Sequence, residues 1–342
     1  MTQHSGKLYP NVDHIYKNWR TVPRHLRQES TRWVYMGPDH SHWDLAGRHA
    51  GRQGAVMVNE LGGHHLPIEH LLTESAYQAG ATYERTNVNK RITPMGVVLG
   101  GAQYTAAAYD AIESHWWNAW PKGVPGWLGA KTLLGGWRWH QVMNGRTVMS
   151  PMKKDPKYAG NNIMVWDMEL LGCNPYYSKR MLVDKWTAQA EPVADHGYDE
   201  HVFTIANRGQ VEARPMFIYT PPGRAWVQDG MTSRMQELPL ISEKDGNVLV
   251  DTADNARTLT ASKDPIDDLF YDLLADWARQ SRVLDFFLHD LTSLELPVWR
   301  RMPGIRFLSS IPPHTVANLK VRHSTAGGTI VCMMPQRFER PT

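Results

Sequence analysis

The pattern of apolar and polar residues divides the chain into two strand-rich parts, with one helix inside the first part. Short runs of apolar and β-branched residues predict four strands in that part, at 55–60, 82–88, 90–99 and 163–171. Between 104 and 120, apolar side chains recur at every third or fourth position, which predicts one face of a helix. Thr105 is placed to cap the first turn of this helix, and Pro121 ends it.

A regularly alternating segment follows the helix, after a glycine- and proline-rich stretch at 122–136 that we predict to be a loop. The strict alternation of residues 137–142 predicts a strand. Asn144-Gly145 separates this run from a further β-like run at 146–149. Asn-Gly favours a two-residue hairpin turn because both of its positions take positive φ, so we predict a β-hairpin across the two runs.

The second half of the chain shows short strand-like runs separated by turn residues. The predicted strands lie at 202–206, 214–220, 225–228, 248–251 and 257–260, with a final set over 306–338. One helical insert is predicted near 265–280, because Asp264-Pro265 is followed by an apolar stripe. The fold class that these elements predict is mainly β, with two β-sandwich-like domains.

The segment 1–54 lacks a sustained period, although a short strand is conceivable around 31–36. Residues 1–55 carry eight Lys/Arg against four Asp/Glu, and nine of the 16 histidines lie between positions 1 and 70. We interpret 1–54 as a basic, histidine-rich extension, either a solvated surface or a docking arm. The predicted domains then cover 55–187 and 188–342.

Composition narrows the class of protein. The 342 residues are 42% apolar and 21% charged, as in an ordinary globular protein. A net charge of +3 is too small for a dedicated nucleic-acid binder. No apolar run approaches ~18 residues, so we expect no membrane insertion. The segment 1–20 lacks the apolar core of a secretory signal, so we expect synthesis in a cytoplasm, with Cys173 and Cys332 as buried thiols.

The sequence offers few candidates for catalysis or metal binding. His40, His42 and Asp44 share one face if they lie on a strand, but the weak pattern around them favours turn and surface histidines. The sequence contains no HExxH motif, no paired CxxC motif and no GxSxG elbow. We therefore expect no catalytic residue, no metal and no cofactor.

Six tryptophans cluster around the end of the predicted helix and the start of the hairpin, at positions 116, 117, 120, 127, 137 and 139. Tryptophan stacks on sugars and bases, which would suit a binding module. Trp116 and Trp120 lie on the predicted helix core face, and Trp137 and Trp139 share one strand face, so we predict that these four pack in the core. The other two, Trp117 and Trp127, are interface candidates.

The order of these parts resembles the siphophage distal tail proteins. The helix, the tryptophan-rich hairpin and a strand ending in Asn174-Pro175-Tyr176-Tyr177 resemble the N-terminal domain of that family. The stretches 207–215, 223–226 and 250–252 resemble its galectin-like sandwich. The sequences of these stretches are similar to those of minor tail proteins from mycobacteriophages and other actinobacterial phages. The resemblance covers about residues 55–342; the segment 1–55 and the helical insert depart from it.

The resemblance implies a structural role at the tip of a long non-contractile tail, in the virion. Six copies would form a ring through the first domain, below the tail tube protein. The ring would hold the tail-tip hub protein, with the tape measure protein as a further candidate partner. DNA would cross the channel only in transit. Two rival functions stay open: a carbohydrate-binding module for host attachment and a tail-tip cell-wall hydrolase.

The residues that we expect at the ring interface are in the predicted loop and hairpin. Trp127 and Leu128 lie among glycines, and an exposed Trp-Leu pair is poorly tolerated on a monomer. We assign Trp127 and Leu128, the turn residues Asn144 and Gly145, and Trp117 to this interface as a hypothesis. A closed ring also needs two different patches that fit each other.

Overall fold

The structure is a computed structural model that describes residues 30–77, 79–133, 135–146, 148, 155–189, 197–253, 256–262, 298–301, 304 and 306–341. The helix predicted near 265–280 and the basic stretch before residue 30 lie outside the described residues. The chain divides into two compact units. The C-terminal unit contains Arg180–Arg337, and the N-terminal unit contains the described residues up to Lys179 together with Phe338–Thr342. The division therefore falls at 180 rather than at the predicted 188.

The N-terminal unit is built from antiparallel strands. They are β1 (Arg32–Met36), β2 (His42–Ala46), β3 (Ala55–Leu61), β4 (Ile68–Thr73), β5 (Thr82–Val88), β6 (Arg91–Gly100), β7 (Gly126–Thr132), β8 (Gly136–Asn144), β9 (Ile163–Gly172) and the first residues of β10 (Tyr177–Thr187). One set of strands has the order β10-β8-β7-β1-β2, and another has the order β3-β6-β9. The end of β8 also pairs with β9, which joins the two sets. β4 and β5 pair with each other.

Helix α1 (Ala106–Asn118) packs on these strands and confirms the helix prediction. The Thr105 side chain accepts a hydrogen bond from the Ala108 N–H, which is the predicted cap. The Tyr35 hydroxyl of β1 donates to the Ala119 carbonyl at 2.7 Å. The Trp120 ring stacks on the Tyr35 ring at 3.8 Å, so the end of the helix is fixed to the sheet at two points.

The C-terminal unit is a β-sandwich. Its strands are β11 (Asp199–Asn207), β12 (Met216–Tyr219), β13 (Ala225–Gln228), β14 (Met235–Glu237), β15 (Val248–Asp251), β16 (Leu259–Ala261), β17 (Thr315–His323) and β18 (Thr329–Phe338). One sheet has the order β11-β17-β13-β14, and the other has the order β16-β15-β12-β18-β10. Buried side chains from both sheets form one core that includes Phe203, Phe217, Val227, Val250 and Leu319. The mainly β fold class is confirmed.

The prediction of an N-terminal extension is wrong for residues 32–46. β1 pairs with both β2 and β7, and it is therefore an interior strand of the N-terminal unit. The side chains of Trp33, Tyr35, Trp43 and Leu45 are buried in the core of that unit. Strands β1 and β2 are too short for a periodic pattern to show in the sequence.

The predicted loop and hairpin also need correction. The stretch 122–136 contains β7, and the hairpin joins β7 to β8, so its turn lies between Thr132 and Gly136. At the predicted turn, Gly145 does not adopt a positive φ. Its N–H donates to the Glu169 carbonyl at 2.7 Å, so the chain continues alongside β9 instead of reversing.

The sequence pattern also does not predict strands β4, β10 and β14. β10 reads Tyr-Ser-Lys-Arg-Met-Leu-Val-Asp-Lys-Trp-Thr, in which charged and apolar residues do not alternate. Within the part of the chain that is described, no helix is long and apolar enough to span a bilayer.

Candidate functional site

One face of the N-terminal sheet carries a row of partly exposed tryptophans. Cross-strand register places Met36 of β1 beside Trp127 of β7, and Trp127 beside Gln141 of β8. We call this surface the tryptophan face, and its members are Arg32, Met36, Trp127, Lys131, Trp137, Trp139 and Gln141. The three indoles are half-buried, and Met36 and Lys131 are exposed. A half-exposed aromatic row of this kind is typical of protein interfaces.

Two of the three rings of this face, those of Trp137 and Trp139, are held in fixed positions. The Trp137 and Trp139 rings stack at 5.2 Å with an interplanar angle of 17°. The Trp139 ring also lies across Gly129, where a Cβ atom would come within 2.5 Å of it. The Arg32 guanidinium sits 5.5 Å from the centre of the Trp137 ring, and its Nε donates to the Asp44 carboxylate at 2.8 Å. The face is therefore pre-organised, which lowers the entropy lost on association.

The opposite face of β8 is buried, and two of its side chains are polar. Arg138 and His140 point inward, so the prediction that Trp137 and Trp139 pack in the core is wrong. Arg138 donates to the Arg340 carbonyl at 2.7 Å and lies 4.2 Å from the centre of the Phe338 ring. Phe338 and Arg340 thus cover the Arg138 side chain inside the unit. Arg138 and Arg340 are 202 residues apart in the sequence.

A second buried guanidinium, that of Arg91 on β6, ties together segments that are distant in sequence. It donates to the carbonyls of Gly63, His65, Pro175 and Glu339 over 2.5–3.0 Å. The guanidinium lies 5.0 Å from the centre of the Tyr177 ring. Burial lowers the pKa of Arg91. Four carbonyl dipoles and one aromatic face thus stabilise this cation inside the unit.

His140 lies beside Tyr177 in the same polar cluster. Its Nε2 is 2.9 Å from the Asn174 carbonyl, and Nδ1 has no hydrogen-bond partner among the described residues. Burial lowers the pKa of His140 to about 4, so the ring is neutral near pH 7 with its proton on Nε2. Gly172 is required here, because a Cβ would come within 2.2 Å of the imidazole. His140 and Arg91 together thus hold the segment Asn174-Pro175, which follows β9.

The structure separates the five residues assigned to the interface. Trp127 lies half-buried on the tryptophan face, whereas Leu128 is fully buried in the core, so its predicted exposure is wrong. Alternation along β7 explains the difference, because neighbouring side chains point to opposite faces. Asn144 and Gly145 are exposed but form no hairpin turn. Trp117 packs edge-on against Trp166 at 4.9 Å, within its own unit.

The C-terminal unit contains the second set of residues that carried the resemblance. The Asn207 amide donates to the carbonyls of Val211, Ile311 and Pro312, and its oxygen accepts from the Gly209 N–H at 2.9 Å. Gln336 accepts from the Arg208 N–H at 2.7 Å. Asn207 is therefore a structural residue that closes the turn after β11.

The outer surface of the four-stranded sheet combines aromatic and charged residues. Arg322 lies 4.3 Å from the centre of the Tyr198 ring, which is 5.6 Å from the Trp226 ring. Glu200 accepts hydrogen bonds from Arg322 and forms an ion pair with Lys320, each at 2.7 Å. Glu200, Lys320 and Arg322 thus pair across two neighbouring strands, which stabilises the sheet.

The histidine and cysteine predictions are partly wrong. His140 and His323 are fully buried rather than at the surface. His323 Nδ1 accepts from the Thr325 N–H at 3.1 Å, and its ring fits against Gly328. Of the two free thiols, Cys332 is buried as expected but Cys173 is exposed. Among the described residues, no group of three His, Cys, Asp or Glu side chains could hold a metal ion.

Two features of the N-terminal unit leave little or no signal in the sequence. The buried role of Arg138 and His140 left no local signal, because their partners lie far along the chain. The strand β4 left a weak signal, since Ile68, His70 and Leu72 occupy every second position after Pro67. The predicted strand at 82–88 is β5. It pairs with β4 in a hairpin, and β4 is the strand of that hairpin that the sequence does not predict.

Comparison with known proteins gives a likeness of fold. No protein-family model and no curated protein matches the sequence. The crystal structure of the SPP1 Dit protein, described as a paradigm of the hub adsorption apparatus in phages infecting Gram-positive bacteria, is similar over 90% of this chain and 99% of that chain, with a TM-score of 0.51 and 11% identity. Two structures of the phage P2 baseplate in its activated conformation, with Ca and with Sr, have TM-scores of 0.49 and 0.47, both at 10% identity. They cover 90% and 86% of this chain, and 98% and 97% of theirs.

Proposed function

We propose that this chain is a structural protein of a phage tail tip. In this proposal, six copies form a ring that joins the tail tube protein to the tail-tip hub protein. The channel of the ring lets DNA pass, and the tape measure protein is a further candidate neighbour. The role requires no catalysis and no cofactor. The phage would be a siphophage that infects an actinobacterium, and the second unit would be a galectin-like sandwich projecting from the ring.

One observation carries the proposal: the fold is shared with the SPP1 Dit protein along nearly the full length of both chains. Because the match covers 90% of this chain, it includes elements of both units and is not limited to one common sandwich. The residues that resembled the distal tail family supply independent support. They lie at structural turns in each unit, near Asn174 and at Asn207.

The physical properties of the N-terminal unit fit assembly. A ring protein needs rigid surfaces that present apolar side chains, since such surfaces lose little entropy when they associate. The tryptophan face has this character, because the rings of Trp137 and Trp139 are stacked and are held by Arg32 and by Gly129. We assign Trp127 on this face to the contact between neighbouring copies.

Localisation in the virion tests the proposed function. Antibodies raised against the purified protein, and visualised with gold on intact phage particles, should label the end of the tail opposite the capsid. Labelling along the whole tube, on the capsid, or on no part of purified particles would contradict the proposal. Lysate of infected cells, blotted in parallel, controls for expression.

Substitution of Trp127→Ala tests the interface. Since hot-spot tryptophans carry much of the energy of an interface, we expect about tenfold fewer complete tails from phage that carry the variant. The circular dichroism spectrum of the purified variant should match that of the wild type, because the side chain is only half-buried. Tail counts by electron microscopy give the readout.

Leu308→Ala is the matched control for this experiment. Leu308 exposes 68% of its surface in the C-terminal unit, so the change removes exposed apolar area without touching the tryptophan face. Its tail yield should equal that of the wild type. Equal yields for Trp127→Ala and Leu308→Ala would remove Trp127 from the interface.

A further inference from the structure

The hairpin of β4 and β5 has one apolar face and one polar face. Register pairs Ile68 with Val88 and Leu72 with Tyr83. A β-bulge between these two pairs lets both fall on the same side. We call this side the apolar hairpin face, and its members are Ile68, His70, Leu72, Tyr83, Thr86 and Val88. The other side carries Glu69, Leu71, Thr73, Glu84 and Arg85.

The centre of the apolar hairpin face is ordered by hydrogen bonds. Thr86 Oγ1 lies 2.8 Å from His70 Nδ1 and 2.7 Å from the Tyr83 hydroxyl. The rings of His70 and Tyr83 meet edge-on at 5.9 Å. The Tyr83 ring is therefore held against the strands instead of turning freely, as an aromatic anchor of an interface should be.

This face is open to solvent although it is apolar. Ile68, Leu72, Tyr83 and Val88 expose 53%, 51%, 59% and 39% of their surfaces. Together they expose on the order of 400 Å², which is about the largest apolar patch that a monomer usually leaves uncovered. A two-stranded hairpin is also marginal in water unless a third layer covers it. The hairpin therefore has the properties of a segment that is completed by another surface.

We propose that the apolar hairpin face of one copy packs against the tryptophan face of the next copy. This inference rests on the proposed ring and names the two surfaces that close it. A closed ring requires a head-to-tail contact between two different patches on the same chain. The N-terminal unit presents two such patches, and each is apolar and ordered within its own strands.

Polarity and area agree with this pairing. Glu69, Glu84 and Arg85 lie on the other side of the hairpin, so the apolar hairpin face brings no carboxylate or guanidinium into the contact. On the tryptophan face, the Arg32 guanidinium is already paired with the Asp44 carboxylate, so an apolar partner does not strip this cation of its counter-charge. A hairpin patch of about 400 Å² is roughly half of the ~800 Å² per partner in a standard interface, so flanking residues would supply the rest.

Two adjacent leucines provide a matched pair of variants. Leu72→Glu places a charge on the apolar hairpin face, and Leu71→Glu places the same charge on the polar face of the same strand. Leu71 is 41% exposed, so neither change alters the core. Phage carrying Leu72→Glu should yield at least about tenfold fewer complete tails, while Leu71→Glu yields normal numbers. Equal yields from the two variants would overturn the inference.

Cross-linking identifies the surface that covers the hairpin. The photoreactive residue p-benzoylphenylalanine, placed at position 72 in assembled tails, should link to peptides of β1, β7 or β8 from another copy. Tails built from mixed heavy and light isotope-labelled protein show whether a link joins two copies. Links from position 72 to another tail protein, to its own copy, or to no protein would overturn the inference. If such links fail while the chain still labels the tail tip, the proposed function stands without this interface.

Discussion

Replacing Arg91 by methionine is expected to destabilise the whole N-terminal unit. The substitution removes the donor to four carbonyls that lie in separate segments, at Gly63, His65, Pro175 and Glu339. A buried acceptor left without a donor costs about 1–3 kcal/mol, and we expect a total loss of at least ~3 kcal/mol after water enters. For a unit of roughly 150–250 residues, that loss lowers Tm by about 6–12 °C. Differential scanning calorimetry measures it.

Arg91→Lys is the control that separates charge from geometry. Lysine keeps the cation but offers three donors from one atom, without the planar fork of the guanidinium. Its Tm should fall between those of the wild type and of Arg91→Met. If Arg91→Met melts at the same temperature as the wild type, the four hydrogen bonds do not hold the unit together.

Acid is expected to destabilise the protein through His140. Its pKa is about 4 in the folded state and about 6.5 when unfolded, because burial disfavours the imidazolium. Between these two values the unfolded state binds more protons, so the free energy of unfolding falls as the pH drops below about 6.5. The full loss, about 3 kcal/mol, is reached near pH 4, and no loss from this group occurs above pH 7.

His140→Gln isolates this effect. The glutamine amide can donate to the Asn174 carbonyl as the imidazole does, but it does not titrate. Denaturant unfolding at pH 7.5 and at pH 4.5 gives the change in stability for both proteins. The wild type should lose about 2–3 kcal/mol more than the variant over this range. Parallel losses would show that His140 titrates normally in the folded protein.

Local patterns in the sequence predict where the helices and strands lie better than they predict which face of each strand is buried. The Thr105 cap, the helix that it starts and the strand at 248–251 are set by neighbouring residues, and all three agree with the structure. The alternation of β8 is equally local, and its strand prediction holds. Which side of β8 is buried depends on Phe338 and Arg340, at the far end of the chain, and so apolar character alone gave the wrong answer.

In the candidate site, too, the sequence identifies a residue more readily than the direction of its side chain. Trp127 could be selected from sequence because a tryptophan among glycines is unusual, but Leu128 beside it points into the core. The loop prediction for 122–136 concealed the alternation that would have separated the two residues. The apolar hairpin face can be identified only once the pairing of β4 with β5 is known, because a bulge shifts the register between Leu71 and Leu72. No single-strand pattern contains that information.

A cryo-electron microscopy reconstruction of the intact tail tip would show whether this chain forms the ring. We expect one closed ring of six copies at the end of the tail tube, built by the N-terminal units, with an open channel along its axis. Density for the 68–88 hairpin should reach the neighbouring copy. The ring is ruled out if the tip contains this chain only as isolated copies, in an open helical array or outside the axis of the tube, or if the chain is absent from the tip.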